Sequence, residues 1–161
     1  ITKFTYIKNR ILSFFNPNNG THNFQSDKAI EAISSGGYFG KGIGEGTLKN
    51  RVPEAHTDYI ISVIAEEFGV VAIVLLLILF IFFIYTVFKK IYLEKNEKIK
   101  LILTGAMCLI IFQALIHIGV NIRLFPTTGM TLPFLSYGGS SIVGVSILSG
   151  IILNLTKRKI D

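Results

Sequence analysis

The chain has 161 residues, a length for one domain at most, and half of them are hydrophobic, with a mean hydropathy of +0.56. This composition excludes a typical soluble domain with a polar surface, and the single cysteine excludes an internal disulfide. The net charge is +6, but the basic residues stand in blocks between apolar runs. That arrangement is typical of a membrane protein, whereas a nucleic-acid-binding protein places them along one polar face.

Residues 1–58 are interpreted as an outer region with interfacial helices. Within it, Tyr6–Pro17 alternates basic with large apolar residues, as in a helix that lies at the membrane surface. The end of a preceding membrane span explains the same pattern equally well. Since the chain begins with Ile, we expect it to be a piece of a longer protein.

Gly36–Gly46, "GGYFGKGIGEG", contains six glycines in eleven residues. Such a run lets backbone amides approach an anion closely. A flexible or tightly packed loop is the plainer interpretation. It is not a dinucleotide-binding fingerprint, because no strand–helix unit surrounds it.

Residues 59–161 contain three stretches that predict membrane spans, at about 69–88, 101–122 and 134–155. The first has no charged residue over 20 positions, which corresponds to roughly 30 Å of helix, one bilayer core. In the third, only about 16 residues follow Gly138-Gly139, too few to cross. We therefore expect Phe134–Gly139 to help cross the membrane in an unwound form, shielded by protein.

The connectors predict the orientation of these spans. Lys89–Lys100 carries five basic residues and Lys157–Lys159 carries three, whereas the link between spans two and three carries only Arg123. The positive-inside rule places the first two segments, and the C-terminus, in the cytoplasm. The predicted fold is thus an all-α polytopic helix bundle with a large extracytoplasmic loop.

The segment "HTDYIISVIAEEFG" places carboxylates beside the first span. Thr57 is a plausible helix N-cap and Asp58 a first-turn residue, favoured there by the helix dipole or held at the membrane surface for a chemical role. Glu66 follows about 12 Å along the axis and about 80° around it, which disfavours a direct catalytic pair. We expect Glu66 and Glu67 to hold the helix against its neighbours, or to be solvated at the interface.

The second span carries a polar stripe, Gln113, His117 and Asn121, at i, i+4 and i+8. We expect this face to point into protein or a wet cavity, with interhelical hydrogen bonding as its plain role. Arg123–Ser141 is too polar for a span and too apolar for a loop, which predicts a re-entrant segment. The histidines show no metal-ligand spacing.

The two long motifs "PEAHTDYIISVIAEEFG" and "FPTTGMTLPFLSYGGSS" resemble the C-terminal half of the SEDS family, which includes FtsW, RodA and SpoVE. The stretches "FGKGIGEG" and "PEAHTD" are most similar to FtsW. The resemblance implies an enzyme of the bacterial inner membrane that polymerises lipid II into glycan strands during cell division. It also implies a class B penicillin-binding protein, a transpeptidase, as partner.

The resemblance assigns the family's essential acid to Asp58, as general base. A divalent cation could share the charge of the leaving pyrophosphate, although no residue spacing shows one. Where many FtsW-like members read "PTKG", Thr128 supplies no positive charge, which weakens the assignment to division. The substrate-binding candidates are Lys41, Lys49, Arg51, His56, Arg123, Thr128, Ser136 and Ser140.

Two other functions fit the same residues. The polar stripe and the broken third span suit a transporter that flips the same lipid, and a non-catalytic division scaffold is the other alternative. The chain by itself is expected to be inactive, because the remaining spans of such an enzyme precede it.

Overall fold

The computed structural model describes residues 21–52 and 54–157, and only the backbone of residues 21–24. The predicted interfacial helix Tyr6–Pro17 and most of the basic tail lie outside the described residues. Within them there are five helices and no strand. The helices are α1 (Thr21–Gly36), α2 (Leu48–Arg51), α3 (Ile60–Leu93), α4 (Glu97–Asn121) and α5 (Gly139–Thr156).

Three of these helices, α3, α4 and α5, are long and apolar enough to cross a membrane. Many of their large apolar side chains are exposed on the surface of the chain, as expected for helices whose solvent is lipid. The all-α fold of a membrane helix bundle is therefore confirmed. The predicted span 69–88 lies inside α3, and α5 begins only at Gly139, so that residues 134–138 are not helical.

Helix α3 is broken at Gly69, where the backbone takes φ 78° and ψ −177°. A break leaves carbonyls unpaired before it and N–H groups unpaired after it. The glycine-rich loop supplies both sets of partners. The amides of Lys41 and Gly42 donate to the carbonyls of Glu66 and Glu67 at 2.9 and 3.1 Å. In turn, the amides of residues 70 and 71 donate to the carbonyls of residues 37 and 38 at 3.0 and 3.3 Å.

The loop glycines are required because the two backbones touch. A Cβ atom on Gly36 would lie 1.9 Å from the carbonyl oxygen of Ala65, and one on Gly40 would lie 2.1 Å from that of Glu67. The run is thus a tightly packed loop that locks the helix break. This agrees with the plainer of the two interpretations, and the alternative of an anion cradle does not hold for the amides of Lys41 and Gly42, because both are bonded to α3.

The helices pack in two layers along α3. Before the break, α1 and α2 cover one side of α3 through Ala29, Ala32 and Leu48, which pack with Tyr59 and Val63. After the break, α3 packs on α4 and α5 through a separate apolar cluster. Its buried members are Val87, Ile91, Leu103, Ala106, Met107, Ile110 and Ile152.

Candidate functional site

Asp58 lies in a turn, Glu54–Tyr59, that precedes α3; we call it the acid turn. The hydroxyl of Thr57 donates to the carbonyl of Glu54 at 3.1 Å, and the amide of Asp58 donates to the same carbonyl at 3.0 Å. The helix begins at Ile60. The expectation that Thr57 caps the helix and that Asp58 lies in its first turn is therefore wrong, because the chain makes a separate turn before α3.

Three successive carbonyls of the acid turn are held from outside the turn. The amide of Tyr137 donates to the carbonyl of His56 at 3.1 Å. The hydroxyl of Ser136 donates to the carbonyl of Thr57 at 2.8 Å. The side-chain amide of Asn121 donates to the carbonyl of Asp58 at 2.9 Å. We call these three bonds the carbonyl clamp; because they fix three consecutive peptide units, they fix the direction in which the Asp58 side chain leaves the backbone.

Asn121 is the centre of this arrangement and is fully buried. Its oxygen accepts from the hydroxyl of Ser62 at 2.7 Å, and its nitrogen also donates to the carbonyl of His117 at 2.9 Å. His117 is fully buried as well, with its Nε2 atom 3.3 Å from the carbonyl of Thr57. The polar stripe therefore points into protein, and two of its three members hold the acid turn.

Ser62 was not singled out from the sequence, although its signal was present. Ser62 and Glu66 stand at i and i+4, and their side chains are both almost completely buried on α3. Two polar residues at that spacing on an apolar helix indicate that this side of α3 also points into the protein. Ser62 on this side contacts Asn121 of the polar stripe on α4.

Gln113, the third member of the stripe, holds the non-helical segment between α4 and α5 (residues 122–138), for which the sequence predicts a re-entrant path. Its amide nitrogen donates to the carbonyl of Thr131 and to the hydroxyl of Ser141, both at 2.9 Å. Gln113 lies eight residues before Asn121, about 12 Å along α4. The non-helical segment therefore extends about that distance along α4 before α5 begins.

Arg123 ends α4 in a left-handed conformation, with φ 60°. The amide of Arg123 donates to the carbonyl of Val120, and that of Leu124 donates to the carbonyl of Gly119 at 2.7 Å. This is the pattern of a Schellman C-terminus, where glycine is usual. The guanidinium of Arg123 forms an ion pair with Asp27 on α1, which ties the end of α4 to the outer helix.

The carboxylate of Glu66 accepts three hydrogen bonds, as a buried charge requires, since its side chain is only 1% exposed. It accepts from the ammonium of Lys41 at 2.8 Å, from the hydroxyl of Thr47 at 3.0 Å and from the amide of Leu48 at 3.0 Å. Glu67 forms an ion pair with Lys49 at 3.1 Å. Both glutamates thus bind neighbouring segments, and the ammonium groups of Lys41 and Lys49 are already engaged by carboxylates.

The structure brings only some of the predicted substrate-binding residues together. Ser136 and His56 join Asp58 at the carbonyl clamp, whereas Lys41 and Arg51 line a cavity of about 40 Å³ beside Glu66. The side chains of His56, Thr128 and Ser140 are exposed. Among the described residues no group of three or more potential ligands could hold a metal ion.

Comparison with known proteins gives the family. The family model for FtsW, RodA and SpoVE, described as "Cell cycle protein", matches residues 1–160. This chain belongs to the FtsW/RodA/SpoVE family. The SEDS membership predicted from the two motifs is thus confirmed.

Members of the FtsW/RodA/SpoVE family with assigned names match nearly the whole chain. It is 40% identical over 160 residues to the probable peptidoglycan glycosyltransferase FtsW of Caulobacter vibrioides, and 39% identical over 160 residues to that of Enterococcus hirae. These matches cover 97% and 98% of this chain and 40% of each relative. The chain therefore spans about 40% of the length of the curated relatives it matches.

A solved structure shares the fold of this FtsW/RodA/SpoVE chain. The match has a TM-score of 0.71 and 30% sequence identity, and it covers 94% of this chain and 41% of the other. That structure is described as "Structural coordination of polymerization and crosslinking by a peptidoglycan synthase complex".

Proposed function

We propose that this chain is part of a peptidoglycan glycosyltransferase of the bacterial inner membrane that polymerises lipid II during cell division, with Asp58 as general base. The carbonyl clamp is the observation that carries this proposal. Three polar groups from α4 and the re-entrant segment converge on the backbone of a single carboxylate-bearing turn. An acid whose only role is to favour a helix N-terminus needs no such support.

The proposed reaction joins two lipid-linked sugars. The 4-hydroxyl oxygen of one sugar forms a bond with the anomeric carbon of the other, and the bond from that carbon to the pyrophosphate oxygen breaks. The hydroxyl proton passes to the carboxylate of Asp58, and the electron pair leaves with the undecaprenyl pyrophosphate. A base within hydrogen-bond reach is needed because a sugar hydroxyl is a poor nucleophile at neutral pH.

The departing pyrophosphate needs a positive partner. Lys41 and Lys49 are poor candidates because each is paired with a glutamate of α3. Arg51, whose side chain is exposed at the end of α2, is the better candidate within this chain. A divalent cation bound by the whole enzyme is a further candidate for the positive partner of the pyrophosphate. The whole enzyme would act with a class B penicillin-binding protein and would keep its C-terminus in the cytoplasm.

The test uses a chimera in which this chain replaces the matching 40% of Caulobacter vibrioides FtsW. The chimera is purified in detergent with its transpeptidase, and glycan strands made from lipid II are measured on a gel. Asp58→Asn is expected to lower the rate about 100-fold to 10,000-fold, measured per mole of folded protein. Glu54→Gln, at the exposed start of the same turn, is the matched control and should retain the rate. Unchanged polymer with Asp58→Asn would contradict the role of Asp58 as base.

A lipid II transporter is the second candidate function, and the re-entrant segment beside α4 favours it. Non-helical backbone at membrane depth is typical of segments that line a path. The detergent assay separates the two functions. Detergent micelles have no two leaflets between which a lipid could be moved, and transport by itself does not produce polymer. Transport would appear instead as protection of fluorescent lipid II from an external quencher in vesicles. A division scaffold would show neither activity.

A further inference from the structure

Three large apolar side chains project from the glycine-rich loop that locks the break in α3. Tyr38 is 78% exposed, Phe39 is 85% exposed and Ile43 is 80% exposed. Exposed apolar groups clustered on a short loop mark a surface that binds something apolar.

The loop holds these side chains in fixed positions. Its backbone makes the four hydrogen bonds across Gly69 described above. In addition, the amide of Gly40 donates to the carbonyl of Gly36 at 2.8 Å. A Cβ atom on Gly69 would lie 2.3 Å from the carbonyl oxygen of Tyr38, so the loop has no space to shift towards α3. The apolar tip is therefore presented rigidly.

The position of the tip along α3 indicates what it meets. Gly69 is the first residue of the 20-residue uncharged stretch of α3. The residues on either side of it, Phe68, Val70 and Val71, are 44%, 42% and 54% exposed. The loop is bonded directly to the amides of Val70 and Val71. The apolar tip thus continues the exposed apolar surface of a candidate membrane span at the level where that surface begins.

We propose that Tyr38, Phe39 and Ile43 form a membrane anchor that inserts into the boundary between lipid headgroups and acyl chains. Aromatic side chains are enriched at this depth because their rings are apolar while the surroundings are still partly hydrated. The charged groups beside the tip suit a level that is still partly hydrated. Lys41 and Lys49 are paired with Glu66 and Glu67 and remain partly exposed, and Glu45 is exposed. The anchor would fix the outer region, and the acid turn with it, relative to the membrane surface.

The absence of tryptophan from this chain makes a single-tryptophan experiment possible. Phe39→Trp, Asn50→Trp and Phe82→Trp are each reconstituted in phosphatidylglycerol–phosphatidylethanolamine vesicles whose acyl chains carry bromine near the headgroup. All three side chains are exposed, so the exchanges leave the packing unchanged. Asn50 on α2 is the water-facing control and Phe82 in the span is the lipid-facing control.

The expected result is emission at short wavelength and about a twofold loss of intensity for Phe39→Trp in brominated vesicles, since such groups lie roughly 5–10 Å into the boundary. Asn50→Trp should emit as in water and Phe82→Trp should be quenched. Emission of Phe39→Trp as in water overturns the anchor. Short-wavelength emission without quenching also overturns it, because the ring is then covered by protein.

A second measurement uses the full-length chimera in membranes, where the neighbouring spans are present. A photo-crosslinking phenylalanine derivative replaces Phe39, and the product is analysed by mass. Attachment of a phospholipid supports the anchor, whereas attachment of a protein, or of nothing when the lipid-facing position 82 does react, overturns it. This test does not depend on the activity of Asp58, so it can fail while the proposed function stands.

Discussion

The side-chain amide of Asn121 donates a 2.9 Å hydrogen bond to the backbone carbonyl of Asp58, which lies 63 residues earlier in the chain. The same side chain accepts from Ser62 at 2.7 Å. One residue at the end of α4 therefore joins the acid turn to the first turn of α3, and the geometry of the candidate base depends on how two distant helices pack.

Replacement of Asn121 by leucine should destabilise the fold. Leucine has a similar size but leaves the carbonyl of Asp58 and the hydroxyl of Ser62 without this partner, at a cost of about 1–3 kcal/mol. That exceeds the roughly 0.6 kcal/mol of an average hydrogen bond between membrane helices. Thermal unfolding in detergent measures the loss. Thr104→Val is the control on the same helix, because Thr104 is exposed and bonds only to the preceding turn; equal stabilities for both variants would contradict the prediction.

Replacement of Ser136 by alanine should lower the kcat of glycan synthesis, and this loss should exceed any loss in the amount of folded protein. The hydroxyl donates to the carbonyl of Thr57 and accepts from the amide of Leu132, both at 2.8 Å. Its loss lets the acid turn shift, and a loss of about tenfold in kcat corresponds to about 1.4 kcal/mol. Steady-state rates of the chimera test this prediction, with KM expected to be near that of the parent. Ser146→Ala, at an exposed position of α5, should behave as the parent; a purely structural role for Ser136 would lower the yield of folded protein and leave kcat unaltered.

Replacement of Gly69 by alanine should release the glycine-rich loop from α3. The φ of 78° and ψ of −177° lie in a region that is essentially restricted to glycine and cost a residue with a Cβ atom about 1–3 kcal/mol, and the added atom would also meet the carbonyl of Tyr38. Gly105→Ala is the matched control, because Gly105 lies inside α4 with nothing within 4 Å of its added Cβ and alanine there favours the helix by roughly 1 kcal/mol. Melting temperatures should move in opposite directions, and protease cleavage after Lys41 should increase only for Gly69→Ala. A melting temperature of Gly69→Ala at or above that of the parent would show that the break is not required.

The contact between Lys41 and Glu66 should show a measurable coupling. Glu66→Gln weakens three hydrogen bonds around a buried carboxylate and should cost about 1–3 kcal/mol. Lys41→Met should also cost about 1–3 kcal/mol, because it leaves the buried carboxylate of Glu66 without its cation. The double variant should reveal a coupling free energy of about 0.5–2 kcal/mol, determined from unfolding in increasing dodecyl sulfate. Additive effects would mean that the pair contributes nothing beyond its separate contacts.

The parts of the site that could be predicted were those with a helical period or a long motif. The spacing of Gln113, His117 and Asn121 correctly indicates one inward face of α4, because residues four apart share a side of a helix. The partners of that face could not be predicted. They include the hydroxyls of Ser62 and Ser141 and backbone carbonyls of the acid turn and of Thr131, and a carbonyl carries no sequence signature.

The partner of the glycine-rich loop could not be predicted from the sequence either. Six glycines in eleven residues indicate unusual backbone geometry, but not whether an anion or another segment lies against it. The structure places α3 there, because the break at Gly69 exposes carbonyls and amides that must be bonded in a membrane protein.

By itself, the sequence determined the helical membrane fold, its three apolar stretches and the family, because hydropathy over twenty residues and long motifs are local properties of the chain. Only the tertiary structure decided that α3 is broken and locked by its own loop, and that Lys41 and Lys49 are paired within the protein. It also decided that the turn carrying Asp58 is held from two distant segments. The physical reason is that hydrogen bonds to backbone groups and close approaches of two backbones depend on how distant segments meet, which no residue type specifies alone.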